Sequence, residues 1–223
     1  MGTSNWQNIS YCIELIRELS PRSVLDIGAG YGRWGILCRE FLDVWEGRTY
    51  PESWTTRIDG VEGFPRNISE YHHYFYSSIE CSDAASWLGR LQFHYDLVIL
   101  GDVLEHFEQD AGREVLEKCL TKSNYVLLSI PLGLNWPQDT RDNNDFERHR
   151  SVWHARDFSG PSLRARKIFR DYIGRPFGVF LLSRDDEFRF SRGYRKAHFH
   201  RLLSAAKRGL KGLRGSAAKQ GLG

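Results

Sequence analysis

Two runs, Tyr95-Asp-Leu-Val-Ile-Leu100 and Tyr125-Val-Leu-Leu-Ser-Ile130, are apolar along nearly their whole length, and Ala111 to Thr121 between them has helical spacing. Strands apolar on both faces must be covered on both, and a helix is the usual connection between two parallel ones. The same grammar runs back to the start of the chain. Ile9, Cys12, Ile13, Ile16 and Leu19 predict a helix over 5–19, ended by Pro21; Ser23 to Ile27 predicts a short buried strand, and Trp34 to Val44 a second helix. Arg57 to Val61 reads as a strand, and the aromatic-rich His73 to Ile79 as another. Beyond Asp157 the pattern changes, with strand-like runs at Leu163–Tyr172 and Phe177–Ser183 flanking Ile173-Gly-Arg-Pro176. The expectation is an α/β fold, doubly wound, with a mostly parallel seven-stranded sheet and a C-terminal antiparallel hairpin.

Hydrophobic residues make up 41% of the 223, enough for a core, while no apolar stretch approaches the ~18–20 residues that cross a bilayer. No secretory pattern is visible near the N-terminus, so the expected location is cytoplasmic. Cys12, Cys38, Cys81 and Cys119 form no CxxC pair and alternate with no histidines, which predicts small buried thiols, no disulfide and no metal. Charge is uneven: Phe188 to Gly223 holds ten Lys/Arg and no acid, leaving 21 basic against 28 acidic side chains before it. This marks residues 1–187 as the folded domain and 188–223 as a basic tail, either partly helical or solvated. Its cations suit nucleic acid or an anionic membrane surface.

The turn after the first strand carries the chemistry. Gly28-Ala-Gly-Tyr-Gly32 lies between strand and helix, where glycines admit a ligand close to the backbone and the helix start offers free N–H groups. The dinucleotide fingerprint G-x-G-x-x-G is missed by one position, with Arg33 where its third glycine belongs, and no Gly-Lys-Ser/Thr follows. Asp26, just before the turn, disfavours a pyrophosphate and favours a ligand with a cationic end. An adenosine body with a charged amino-acid end, as in S-adenosyl-L-methionine, meets both conditions.

Val24-Leu-Asp-Ile-Gly-Ala-Gly-Tyr-Gly32 resembles the first motif of class I S-adenosylmethionine-dependent methyltransferases, and further segments match in order. Asp59-Gly-Val-Glu62 resembles the second strand's end, Cys81-Ser-Asp-Ala84 the adenine loop, and Tyr95 to Phe107 the fourth strand with a Leu-Glu-His turn of the small-molecule type. The resemblance spans roughly residues 5–185 and implies a Rossmann-like methyltransferase fold. It implies that Asp26, Gly28, Ala29, Gly30 and Gly32 surround the methionine end, that Glu62 holds the ribose, that Asp83 and Ala84 face the adenine, and that Asp102 lies near the pocket. Glu62 stands 30 positions after Gly32 rather than about 20, an excess that an inserted loop at Gly47–Thr56 would explain. Asp83 is equally readable as a helix cap.

Methyl transfer from a sulfonium leaves a neutral group, so positioning supplies much of the acceleration, and a hydroxyl acceptor gains further from a base. His106, after the fourth strand, is a candidate base or pocket wall, or else a helix-start histidine bonded to backbone. The stretch Asn143 to Trp153 offers His149 as a base with Glu147 as its partner, and Trp136 and Trp153 as stacking walls for a sugar ring; it also reads as a polar connection anchored by its tryptophan. The resemblance implies methyl transfer, and the expected acceptor is a hydroxyl oxygen of a small molecule or glycan precursor. Two alternatives stay open, an RNA methyltransferase gripping its substrate through the tail, and a binding protein that keeps the cofactor fold without catalysis. Oligomeric state is not legible.

Overall fold

The computed structural model describes residues 5–140 and 142–185, so the basic segment 188–223 and the expected boundary before it lie outside the described residues. Seven strands form one sheet: β1 (Ser23–Ile27), β2 (Arg57–Glu62), β3 (Ser78–Cys81), β4 (Tyr95–Gly101), β5 (Ser123–Pro131), β6 (Leu163–Arg170) and β7 (Pro176–Leu182). Their order is β3-β2-β1-β4-β5-β7-β6. The first five pair parallel, while β7 runs antiparallel to both β5 and β6. The expected Rossmann-like class is the observed one, and the hairpin enters the sheet with its second strand innermost.

Among the described residues five helices flank the sheet: α1 (Ile9–Leu19), α2 (Arg33–Leu42), α3 (Glu70–Phe75), α4 (Ala84–Arg90) and α5 (Gln109–Lys122). Every residue of β1 is buried. Leu25, Ile27, Val98, Leu100, Val126 and Leu128 join one core with Leu88 of α4 and Val115 and Cys119 of α5. Side chains alternate along a strand, so Val24, Asp26, Leu97 and Ile99 point to the opposite face. No helix among the described residues is long and apolar enough to cross a membrane.

Two expectations are corrected. The aromatic run from His73 to Ile79 is not one strand, because it straddles the end of α3 and the start of β3. Aromatic content suggested a strand, yet His72 and Tyr76 lie four apart and both pack against the first glycine turn, a helical spacing. Cys81 is exposed rather than buried, since β3 is an edge strand, whereas Cys12, Cys38 and Cys119 are buried.

The segment after α2 accounts for the long interval before Glu62. It contains a short 3-10 turn at Pro51–Ser53 and is drawn in by buried Asp43, which accepts the Thr55 N–H at 3.0 Å and the Arg39 guanidinium at 2.6 Å. Glu62 is therefore the last residue of β2, as expected. Strand order reverses between β1 and β4, and a crevice opens at such a point beyond the strands' carboxyl ends.

Candidate functional site

Two turns meet at that crevice. The Gly28 and Ala29 N–H groups both donate to the Val61 carbonyl, at 2.8 and 3.1 Å, laying the glycine turn across the end of β2. Gly28 has φ +70°, and a Cβ there would stand 2.7 Å from Val103 Cγ2 in the turn after β4. Gly30 has φ +54°, and a Cβ there would meet nothing closer than the Gly28 carbonyl oxygen at 3.9 Å, so its open side is free for a ligand. Its N–H donates to Glu62 Oε2 at 2.7 Å. Its carbonyl lies 3.0 Å from His72 Nε2; because His72 Nδ1 accepts the Ser69 N–H at 3.1 Å, Nε2 carries the proton and donates. Gly32 caps α2 with φ +76°, and Ala29 is buried.

Asp26 does not surface at the turn but lies beneath it. Its position in β1 turns the carboxylate to the face covered by α2, fully buried, where Oδ2 accepts the Tyr76 hydroxyl at 2.6 Å. That hydroxyl also accepts the Gly35 N–H of α2 at 3.2 Å. Asp26 Oδ1 is buried with no hydrogen-bond partner. Burial pushes the carboxyl up to about 6, against the lowering effect of the Tyr76 bond, and nearby Glu62 adds to the rise.

Glu62 is buried at the mouth of the turn. Besides Gly30, it takes the Phe64 N–H at 2.8 Å and the Asn67 amide at 3.2 Å, both on Oε1. An ionised carboxylate has about four acceptor positions, so one remains. Asp83 is the N-cap of α4, its Oδ1 accepting the Ser86 N–H at 2.9 Å, and Ala84 is the first residue of that helix, packed against the core. The capping contact of Asp83 is thus present and engages Oδ1. Asp102 adopts φ +58° just past β4, its N–H donating to the Ser129 carbonyl and its Oδ1 accepting the Ser129 hydroxyl at 3.1 Å.

The second turn carries Leu104–His106, and the segment after β5 folds back over it. The Arg150 and Ser151 N–H groups both reach the Glu105 carbonyl, at 2.8 and 3.2 Å, and Arg150 Nε donates to the His106 carbonyl at 3.0 Å. This brings the His106 and His149 rings together edge to face, 5.0 Å between centroids. Each ring holds a backbone carbonyl through Nδ1, His106 that of Arg148 at 3.2 Å and His149 that of Trp136 at 2.6 Å. Donation from Nδ1 leaves the lone pair on Nε2. Burial pulls both imidazoles below their ordinary value, outweighing the carbonyls that raise them. Glu105 is buried beside them with Oε2 unpartnered, and burial, then Asp102, holds its carboxyl well above the usual range.

Two side chains take roles other than the expected ones. Glu147 is not the partner of His149; it accepts the Gln138 amide at 3.1 Å, and the Trp136 carbonyl orients the imidazole instead. Trp153 is no stacking wall, because it is fully buried, stacked on Phe158, with its indole N–H on Ser151. Trp136 is half-buried, its N–H on the Pro176 carbonyl at 3.0 Å and one ring face under the Arg175 guanidinium. Sequence reasoning gave Tyr76, Glu105 and Phe146 no role. Glu105 had a signal, a carboxylate adjoining His106 just after a buried strand. Phe146 had none: its ring lies 3.0 Å from where a Gly63 Cβ would stand, so the segment after β5 reaches the end of β2.

Solved structures share this architecture. A SAM-dependent methyltransferase from Archaeoglobus fulgidus is 18% identical with a TM-score of 0.53, covering 78% of this chain and 94% of its own. Magnesium protoporphyrin IX methyltransferase from Synechocystis PCC 6803, with bound SAH, is 13% identical with a TM-score of 0.54, over 79% of this chain and 82% of its own. The O-methyltransferase from Bacillus cereus, in complex with SAH, is 12% identical with a TM-score of 0.50, over 78% and 79%. No curated protein sequence matches the chain. The methyltransferase-domain family model matches residues 6–164, which include the glycine turn, Glu62, the Leu104–His106 turn and the segment carrying His149. The chain belongs to the methyltransferase-domain family.

Proposed function

We propose that this chain transfers the methyl group of S-adenosyl-L-methionine to a hydroxyl oxygen of a small molecule or of a sugar in a glycan precursor. The observation that carries the reading is the meeting of His106 and His149, 5.0 Å apart, on the turn whose Val103 touches Gly28 of the glycine turn. A donor half and an acceptor half thus share one crevice.

The residues present fit the cofactor. The open side of Gly30 is a space that a side chain would fill, and the donor-free Asp26 Oδ1 leaves a negative charge beneath the turn for a cationic ligand to offset. Glu62 retains one acceptor position for a ribose hydroxyl, and Asp83 and Ala84 stand at the adenine end. Asp102 borders the methionine end. When bound, the cofactor supplies an electrophilic methyl group on a sulfonium.

The remaining work falls to the chain. His106 and His149 present Nε2 lone pairs that accept a hydrogen bond from the acceptor hydroxyl, which eases loss of its proton. Phe146 narrows the crevice above Gly63, while Trp136, braced by Arg175, borders the acceptor side. Calorimetric titration of the full chain with S-adenosylmethionine, followed by screening for methylated products with label on the methyl group, tests the reading. Saturable binding and a labelled ether product are expected. No detectable binding by the native chain would sink it, and a labelled RNA whose methylation falls steeply with salt would reassign the acceptor.

A further inference from the structure

We infer that Glu105, His106 and His149 form a binding site for a divalent first-row transition-metal ion. One ligand atom from each residue lies within 4.8 Å of the other two. Bonds of about 2.0–2.2 Å to a common ion set such atoms about 3–4 Å apart, so a small inward movement of the side chains completes the site. Two imidazoles and one carboxylate suit Zn²⁺, Fe²⁺, Co²⁺ or Mn²⁺ and leave coordination positions open.

Three further features distinguish this cluster from a chance gathering. Glu105 is 2% exposed and its Oε2 has no partner, an arrangement that is costly for a carboxylate unless a cation meets it. Both histidines hold backbone carbonyls through Nδ1, the outer contact that metal-ligating histidines commonly make, and this turns Nε2 inward as the ligand atom. The two segments that supply the ligands are also joined before any ion arrives. The Arg150 and Ser151 N–H groups bond the Glu105 carbonyl, and the His149 N–H bonds the Gln138 carbonyl at 2.9 Å. Little ordering is left to be done on binding.

Metal binding by these three residues does not depend on methyl transfer. Its role in catalysis does rest on the reading above: with both Nε2 lone pairs taken up as ligands, a bound dication would replace them in activating the acceptor, lowering the pKa of an oxygen that it touches so that the hydroxyl proton leaves to solvent. The carbon–sulfur bond then breaks as the oxygen–carbon bond forms, and the positive charge on sulfur is lost with its methyl group.

The full chain, stripped with chelator and dialysed, is titrated with Co²⁺ by visible absorption and with Zn²⁺ and Mn²⁺ by calorimetry. One ion per chain is expected, with affinity falling about ten-fold or more in Glu105→Gln and in His149→Ala. S-adenosylhomocysteine binding and the melting temperature, measured on the same samples, report whether each variant is folded. Absence of stoichiometric binding of all three ions overturns the inference, as does unchanged affinity in folded His149→Ala, which would move the ligands to histidines elsewhere. A native chain that binds S-adenosylhomocysteine but no ion fails this inference alone; one that binds an ion but no nucleoside fails the methyl-transfer reading alone.

Discussion

The Tyr76 hydroxyl donates to Asp26 at 2.6 Å and accepts from the Gly35 N–H at 3.2 Å, so a single oxygen joins β1, α2 and the residue that follows α3. The glycine turn rises directly from the strand that this oxygen holds.

Among the described residues, Tyr76 is the only side-chain donor to Asp26, so Tyr76→Phe leaves both carboxylate oxygens buried without one. A loss of about 1–3 kcal/mol in unfolding free energy is expected from urea titration. The loss should be larger at pH 8, where Asp26 is ionised, than at pH 5. Equal losses at both would show that the hydroxyl does not serve the carboxylate.

Asp26 itself should leave a mark on the pH dependence of stability. Its folded value is raised to about 6, while an unfolded aspartate titrates near about 3.9. A raised folded value means that this group's contribution is fully present below about pH 4 and is lost as pH rises through about 6. The loss amounts to roughly 3 kcal/mol. Asp26→Asn does not titrate, so its stability between pH 4 and pH 7 should lack that decline. Denaturant midpoints across the range make the comparison.

Glu62→Gln is expected to weaken S-adenosylhomocysteine binding about ten- to hundred-fold, through both the lost charge and the displaced turn. An amide has a single oxygen, and its NH₂ would face either the Gly30 or the Phe64 N–H. Calorimetry reads the affinity. Native affinity in the variant would place the ribose contact elsewhere.

Gly28→Ala combines a left-handed backbone, costing about 1–2 kcal/mol, with a methyl 2.7 Å from Val103 Cγ2. Overpacking adds about 1–3 kcal/mol. Val103→Ala in the same chain should relieve the second cost and not the first. The double variant should therefore be more stable than the two single losses sum to, which thermal melts can measure.

The parallel core was legible because β1, β4 and β5 are apolar on both faces, and the glycine turn because few ligands tolerate that spacing beside an acid. Other features were decided across the fold. Trp153 and Trp136 lie on one polar segment, and nothing local says that Phe158 buries the first while Arg175 caps the second. Asp26 reads as a group at the mouth of the turn until strand alternation is set against the helix above it. Glu147 sits two residues from His149, yet a carbonyl thirteen residues away holds the ring. Cys81 looked like its three buried counterparts because sequence does not announce which strand ends the sheet.

The Gly133 N–H donates to the Trp153 carbonyl at 2.8 Å, so the segment that bears His149 leaves and re-enters the domain through a closed neck. Trp153 seats that neck beside Gly112, where a Cβ would come within 2.9 Å of its ring. Lengthening a loop whose ends are already joined costs little entropy. Insertions confined to residues 139–143 are thus expected to vary the acceptor side while leaving in place both the nucleoside cradle and His149, which the Trp136 and Gln138 carbonyls hold.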